Sequence, residues 1–139
     1  MTADPAFGRD APLVDCHAHI YTLDMPLWEG AWHKPPEDAT LAMYRDTLDR
    51  HGVKFAVMAA ASLYADYNDF MIDACRRTRR LRTTVIVKPD IERSTMEWMD
   101  RHGACGIRFQ FRGLDKQPDL TTFEYQRLLR RLCEHCRAP

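Results

Sequence analysis

Leu13-Val14-Asp15-Cys16-His17-Ala18-His19-Ile20 is the stretch on which the fold turns, a brief apolar run behind Pro12 that ends in two histidines two residues apart. Its apolar part is too short for a helix and suits a buried strand over residues 13–16. Residues two apart on a strand share a face, so His17 and His19 project side by side from its end. Outward from this strand, residues 17–38 hold Pro26, Gly30, Pro35 and Pro36. These break any periodic element and predict a long loop of the kind that tends to carry function.

Beyond the loop, Thr40 is placed to cap a helix whose apolar positions Leu41, Met43, Tyr44 and Leu48 follow helical spacing to a stop at Gly52. Residues 53–60 are apolar and predict a second strand, and residues 67–80 a second helix. Residues 83–87 predict a third strand, closed by Pro89. Ser94 with Glu97 has the spacing of a capping box for a short helix ending at Gly103, and residues 104–111 make a fourth strand. Thr121 with Glu124 repeats the capping pattern before a last helix running to about Cys136, with Phe123, Leu128, Leu129 and Leu132 as its apolar face. Strand and helix thus alternate four times, which requires an α/β fold with parallel strands joined by right-handed crossovers. A complete (β/α)₈ barrel takes about 250 residues. Residues 1–139 are therefore expected to form one domain, a (β/α) barrel of the TIM-barrel type truncated to about the first four βα units.

Composition narrows the function. Lys plus Arg and Asp plus Glu number 20 each, so no global field favours a polyanion or an anionic membrane, and nucleic acid is disfavoured as a partner. No apolar stretch approaches the roughly 18 residues of a membrane span, and residues 1–10 lack a signal-peptide core. The five cysteines are odd in number, irregularly spaced and set among apolar residues, as buried thiols in a reducing compartment are. A cytoplasmic protein is expected.

Two imidazoles on one strand end are half a site for a divalent ion such as Zn²⁺, which takes four ligands in a closed site. Two histidines making only local hydrogen bonds fit the same spacing. Arg108 shares a face of the fourth strand with Gln110, while Phe109 and Phe111 take the other. Its planar fork suits a carboxylate, either of a substrate or of an internal salt bridge.

Val14-Asp15-x-His17-x-His19 resembles the opening motif of the amidohydrolase superfamily. Gly106-Ile107-Arg108-Phe109 resembles the fourth-strand segment of its amidohydrolase-related branch. Within that branch the chain is most similar to the 2-pyrone-4,6-dicarboxylate lactonase group, from Leu13 onward. The resemblance implies a hydrolase that adds water to a lactone, ester or amide carbonyl of a small carboxylated substrate. His17 and His19 are then catalytic, either as ligands of a divalent metal or, as in the lactonase group, polarising the carbonyl without one. It implies further that Arg108 binds a substrate carboxylate, that Arg112 on the following loop adds a second contact, and that Ser62 and loop residue Lys34, beside His33, face the substrate. Turn capping for Ser62 and plain solvation for Lys34 are the ordinary alternatives. Where the group has another basic residue, this sequence has Leu114. Asp15 is placed to orient the histidine pair. The family also draws histidines and an aspartate base from later strands, so a chain of this length is expected to be nearly inactive alone. The competing expectation is a non-catalytic half-barrel fragment that self-associates through its first and fourth strands, two copies closing one barrel.

Two motifs invite less. The basic run Arg76, Arg77, Arg79, Arg80 and Arg82 reads as a solvated helix end. Cys133 and Cys136 form a lone Cys-x-x-Cys without the second pair of a zinc site. Met25, Met71, Met96 and Met99 read as core filling.

Overall fold

The computed structural model describes residues 13–111 and 114–136, with side chains to residue 134. The elements run β1 (Leu13–Asp15), α1 (Leu41–Arg50), β2 (Val53–Met58), α2 (Asp69–Arg77), β3 (Leu81–Val85), α3 (Arg93–Arg101), β4 (Ala104–Ile107) and α4 (Phe123–Cys136). A single 3₁₀ turn, Ser62–Tyr64, follows β2. All strands pair in parallel in the order β1-β2-β3-β4, which is the α/β alternation expected from sequence.

The helices cover one face of this sheet. Ala56, Met58 and Leu81 point from β2 and β3 into a core shared with Leu48 of α1 and Met71, Ala74 and Cys75 of α2. Ile72, Val85 and Ala104 continue it toward α3. Strand side chains alternate, so Phe55 turns to the opposite face, where it and its register partner Val14 stay 49% and 51% exposed. Among the described residues no helix is long and apolar enough to cross a membrane.

Thr40 caps α1 as expected, its Oγ1 accepting the Met43 N–H at 3.3 Å, and Gly52 takes the left-handed conformation at φ +66° that ends the helix. Neither capping box forms. Ser94 lies inside α3, whose Glu97 pairs instead with Arg93 Nε at 2.9 Å. Thr121 lies before α4 and donates its hydroxyl to Asp119 at 2.6 Å. Phe123 is 66% exposed, so the buried face of α4 centres on Leu128.

The second helix is shorter than its pattern. It ends at Arg77, and β3 begins at Leu81, two residues earlier than expected. Arg80 is therefore not solvated helix surface. Its guanidinium donates to the carbonyls of Val53 (2.6 Å) and Lys54 (3.0 Å) and pairs with Asp49 at 2.6 Å, holding the start of β2. The cysteines are also not uniformly buried: Cys75 is, whereas Cys16, Cys105 and Cys133 are exposed. Cys16 follows one edge strand and Cys105 sits on the other, where no further strand covers them among the described residues. The side chain of Cys136 lies outside the described residues.

Candidate active site

The C-terminal ends of the parallel strands gather the chemistry. Past the end of β1, the Ala59 N–H donates to Ala18 O at 2.8 Å, stitching the histidine segment to the end of β2. His19 Nδ1 lies 2.7 Å from Ala59 O. A carbonyl oxygen only accepts, so Nδ1 carries the proton and a neutral His19 keeps its lone pair on Nε2. Burial lowers the His19 pKa below its ordinary 6.5; the positive charge of Arg108 and then His17 push the same way, against the raising effect of the Ala59 bond. His19 is half-buried and His17 exposed, their rings 5.2 Å apart and nearly edge to face at 70°.

Arg108 stands one residue past β4, its N–H still in the ladder to Val85 O at 2.8 Å. Its Nη1 donates to Ala60 O at 2.7 Å. The partner is thus a backbone carbonyl rather than the carboxylate of an internal salt bridge. Arg108 also lines a cavity of about 200 Å³ with Gln110, Lys88, Lys116 and Tyr125. Lys88 pairs loosely with Asp66, at 3.5 Å.

Asp15 does not reach either imidazole. Its carboxylate accepts the backbone N–H of His17 at 3.0 Å and the hydroxyl of Tyr44 at 2.9 Å, anchoring the main chain of the motif to α1. Burial and this carboxylate push the Tyr44 phenol well above its ordinary value. Ser62 is buried at the first position of the 3₁₀ turn, two residues after Ala60. Lys34 and His33 are exposed on the long loop, His33 beside Trp32 at 5.9 Å. That loop is pinned by the Tyr21–Ala39 bridge and by the Trp28 N–H donating to Leu63 O at 3.1 Å. Arg112 lies outside the described residues.

Several positioning groups escaped the sequence reading. Ala59 and Ala60 act through their carbonyls, Thr84 Oγ1 accepts the Ala60 N–H at 3.2 Å, and buried Asn68 clamps both main-chain groups of Ile86 at 2.8 and 3.0 Å. The run Ala59-Ala60-Ala61 directly after a strand is the signal that could have marked them, since only small side chains let other groups approach the main chain there.

Among the described residues no three His, Cys, Asp or Glu side chains lie together to hold a metal. His17 and His19 offer two donors where a closed zinc site needs four, so these residues alone do not compose a metal centre.

Comparison with known proteins bears on the family and the fold. The chain is 26% identical over 118 residues to the 4-sulfomuconolactone hydrolase of Hydrogenophaga intermedia, covering 83% of this chain and 39% of the relative. It superposes with a TM-score of 0.84 at 25% identity on a probable 2-pyrone-4,6-dicarboxylic acid hydrolase of Acinetobacter baumannii, solved with citric acid bound, covering 88% of this chain and 46% of that one. A putative 2-pyrone-4,6-dicarboxylic acid hydrolase of Pseudomonas putida gives 0.78 at 30% identity, covering 89% and 45%. The chain thus spans less than half the length of these relatives. The amidohydrolase family profile matches residues 14–137, and the chain belongs to that family.

Proposed function

We propose that this chain supplies the first part of the active site of a hydrolase that opens a small carboxylated lactone or ester. Water adds to the acyl carbon, the bond to the ring oxygen breaks, and a carboxylate and a hydroxyl group result. The observation that carries this reading is the fixing of His19 and Arg108 to the successive carbonyls of Ala59 and Ala60. It supports reading His19 as a proton acceptor and Arg108 as a carboxylate receptor at one end of the sheet.

The roles divide accordingly. With its one N–H committed to Ala59, neutral His19 is able to accept a proton from water through Nε2, and not to donate to the carbonyl. Exposed His17 is the member of the pair left to donate to the carbonyl oxygen. A guanidinium has five N–H donors, so Arg108 can hold Ala60 and still fork onto a substrate carboxylate. Ser62 and Lys34 are the further side chains proposed to face the substrate. Were a divalent ion bound, His17 and His19 would be the residues here to hold it, and it would supply Lewis-acid polarisation of the carbonyl in place of these proton roles.

Titrating the chain with 2-pyrone-4,6-dicarboxylate tests the reading by calorimetry even where turnover is slow. Arg108→Ala is expected to weaken binding about 10- to 100-fold, the loss of a charge-assisted pair. Equal affinity in the folded variant overturns the role of Arg108. Turnover by the chain that survives His19→Ala overturns that of His19.

A second reading, a non-catalytic half-barrel that self-associates, is favoured by exposed Val14 and Phe55 on the sheet face away from the helices and by β1 and β4 having no further strand partner among the described residues. Light scattering separates the two: a monomer at every concentration removes the second.

A further inference from the structure

The opposite end of the sheet holds a different concentration of charge. The C-terminal ends of α2 and α3 converge there around a cavity of about 560 Å³, floored by buried Cys75 and walled by Arg76, Arg79, Arg82, Arg101 and Asp100. It lies at the start of the strands, since Arg82 is the second residue of β3 and Arg101 closes α3 just before β4. Arg108 is at the far end of β4, about 16 Å away along an extended chain. The site proposed above therefore does not include it.

Cations at helix C-termini are ordinary, because each helix end carries about −0.5 of a charge. That explanation covers only part of what is present. Two helix ends supply about −1 and Asp100 another −1 against four guanidinium groups, leaving a surplus of about +2 in a chain whose net charge is +0. The neighbouring arginines show what balance looks like: Arg77 pairs with Asp73 at 2.7 Å and Arg80 with Asp49. Among the described residues no carboxylate lies within ion-pair distance of Arg76, Arg79 or Arg101. Arg82 is oriented along the wall by bonds from Nη1 to the carbonyls of Leu81 (2.8 Å) and Arg79 (3.4 Å).

We propose that this cavity binds a small, multiply charged oxyanion, of the phosphate-ester or pyrophosphate class. Guanidinium forks match such oxygens two at a time, and several forks around one concavity bind together what one exposed arginine, screened by water and salt, does not hold. The volume falls within the range of roughly 300 to 1,000 Å³ of small-ligand sites. A long polyanion is a poorer match, because the surplus is confined to one cavity.

Calorimetric titration of the whole chain with pyrophosphate at low salt is the test. Saturable binding at one site is expected, weakened at least tenfold by Arg76→Ala/Arg79→Ala. It should be unchanged by Arg77→Ala, which removes the same charge from the same helix end but outside the cavity, and by Arg108→Ala. Should the double variant fail to fold, phenylglyoxal modification of the wild-type chain reads the same contact. Pyrophosphate is then expected to protect Arg76 and Arg79 and not Arg77. No saturable binding, an equal loss in Arg77→Ala, or uniform protection overturns the proposal.

Discussion

His19 is held between opposing influences on its proton. Burial, Arg108 and His17 favour the neutral ring, and the Ala59 carbonyl favours the charged one, with the neutral form prevailing. The unfolded chain protonates this histidine near 6.5, above the folded value, so below that pH the unfolded state binds more protons. Stability then falls as pH drops from about 6.5 toward the lower folded value. Urea midpoints measured at pH 7.5, 6.5 and 5.5 are expected to decline more steeply in the wild type than in His19→Gln; parallel curves would remove the argument. The candidate side chains could be named from the sequence because His17, His19 and Arg108 stand at motif positions. What fixes two of them could not be. The partners of His19 and Arg108 are main-chain oxygens 40 and 48 residues away, and an alanine in a sequence gives no hint that its carbonyl is in use.

The connections between elements carry more information than their lengths. Arg80 ties the segment before β3 to two carbonyls at the start of β2 and to Asp49 of α1, with its side chain only 30% exposed. Arg80→Ala is expected to cost about 1–3 kcal/mol in chemical denaturation, because partly buried acceptors lose their donor. Arg79→Ala, in the same run but exposed, should stay within about 0.5 kcal/mol of wild type. Gly103 turns α3 into β4 at φ +107°, and a Cβ there would stand 2.6 Å from that of Cys75. Gly103→Ala is expected to destabilise by more than about 1 kcal/mol, read in the same way. The alternation of elements could be read from sequence since apolar runs and glycine stops are local. Their ends could not, because Arg80 leaves its helix to satisfy β2, and because Glu97 finds Arg93 rather than a helix cap.

At the scale of the molecule, a one-sided sheet dominates. Helices seal one face, and the other presents Val14 and Phe55, with no further strand pairing to β1 or β4 among the described residues. Phe55→Lys is expected to reduce any self-association seen by light scattering while leaving the helix-side core untouched, since Phe55 faces away from it. Thiol chemistry should map the two surfaces. Burial pushes the Cys75 thiol from 9.0 up to about 12, so iodoacetamide at pH 8 is expected to label Cys16 and Cys133 and to spare Cys75. Mass spectrometry of tryptic peptides reads the pattern. Rapid labelling of Cys75 would mean that α2 does not stay docked.

The two carbonyls of Ala59 and Ala60 act as a gauge as well as an anchor. The spacing between the proposed proton acceptor and the proposed carboxylate receptor is written in main chain, one peptide unit long, and substitution does not easily rewrite it. Loops such as the one bearing Lys34 remain free to vary around that fixed gauge. On the proposed function, new substrates could be tried by changing what surrounds the reacting bond while the distance between these two groups is kept.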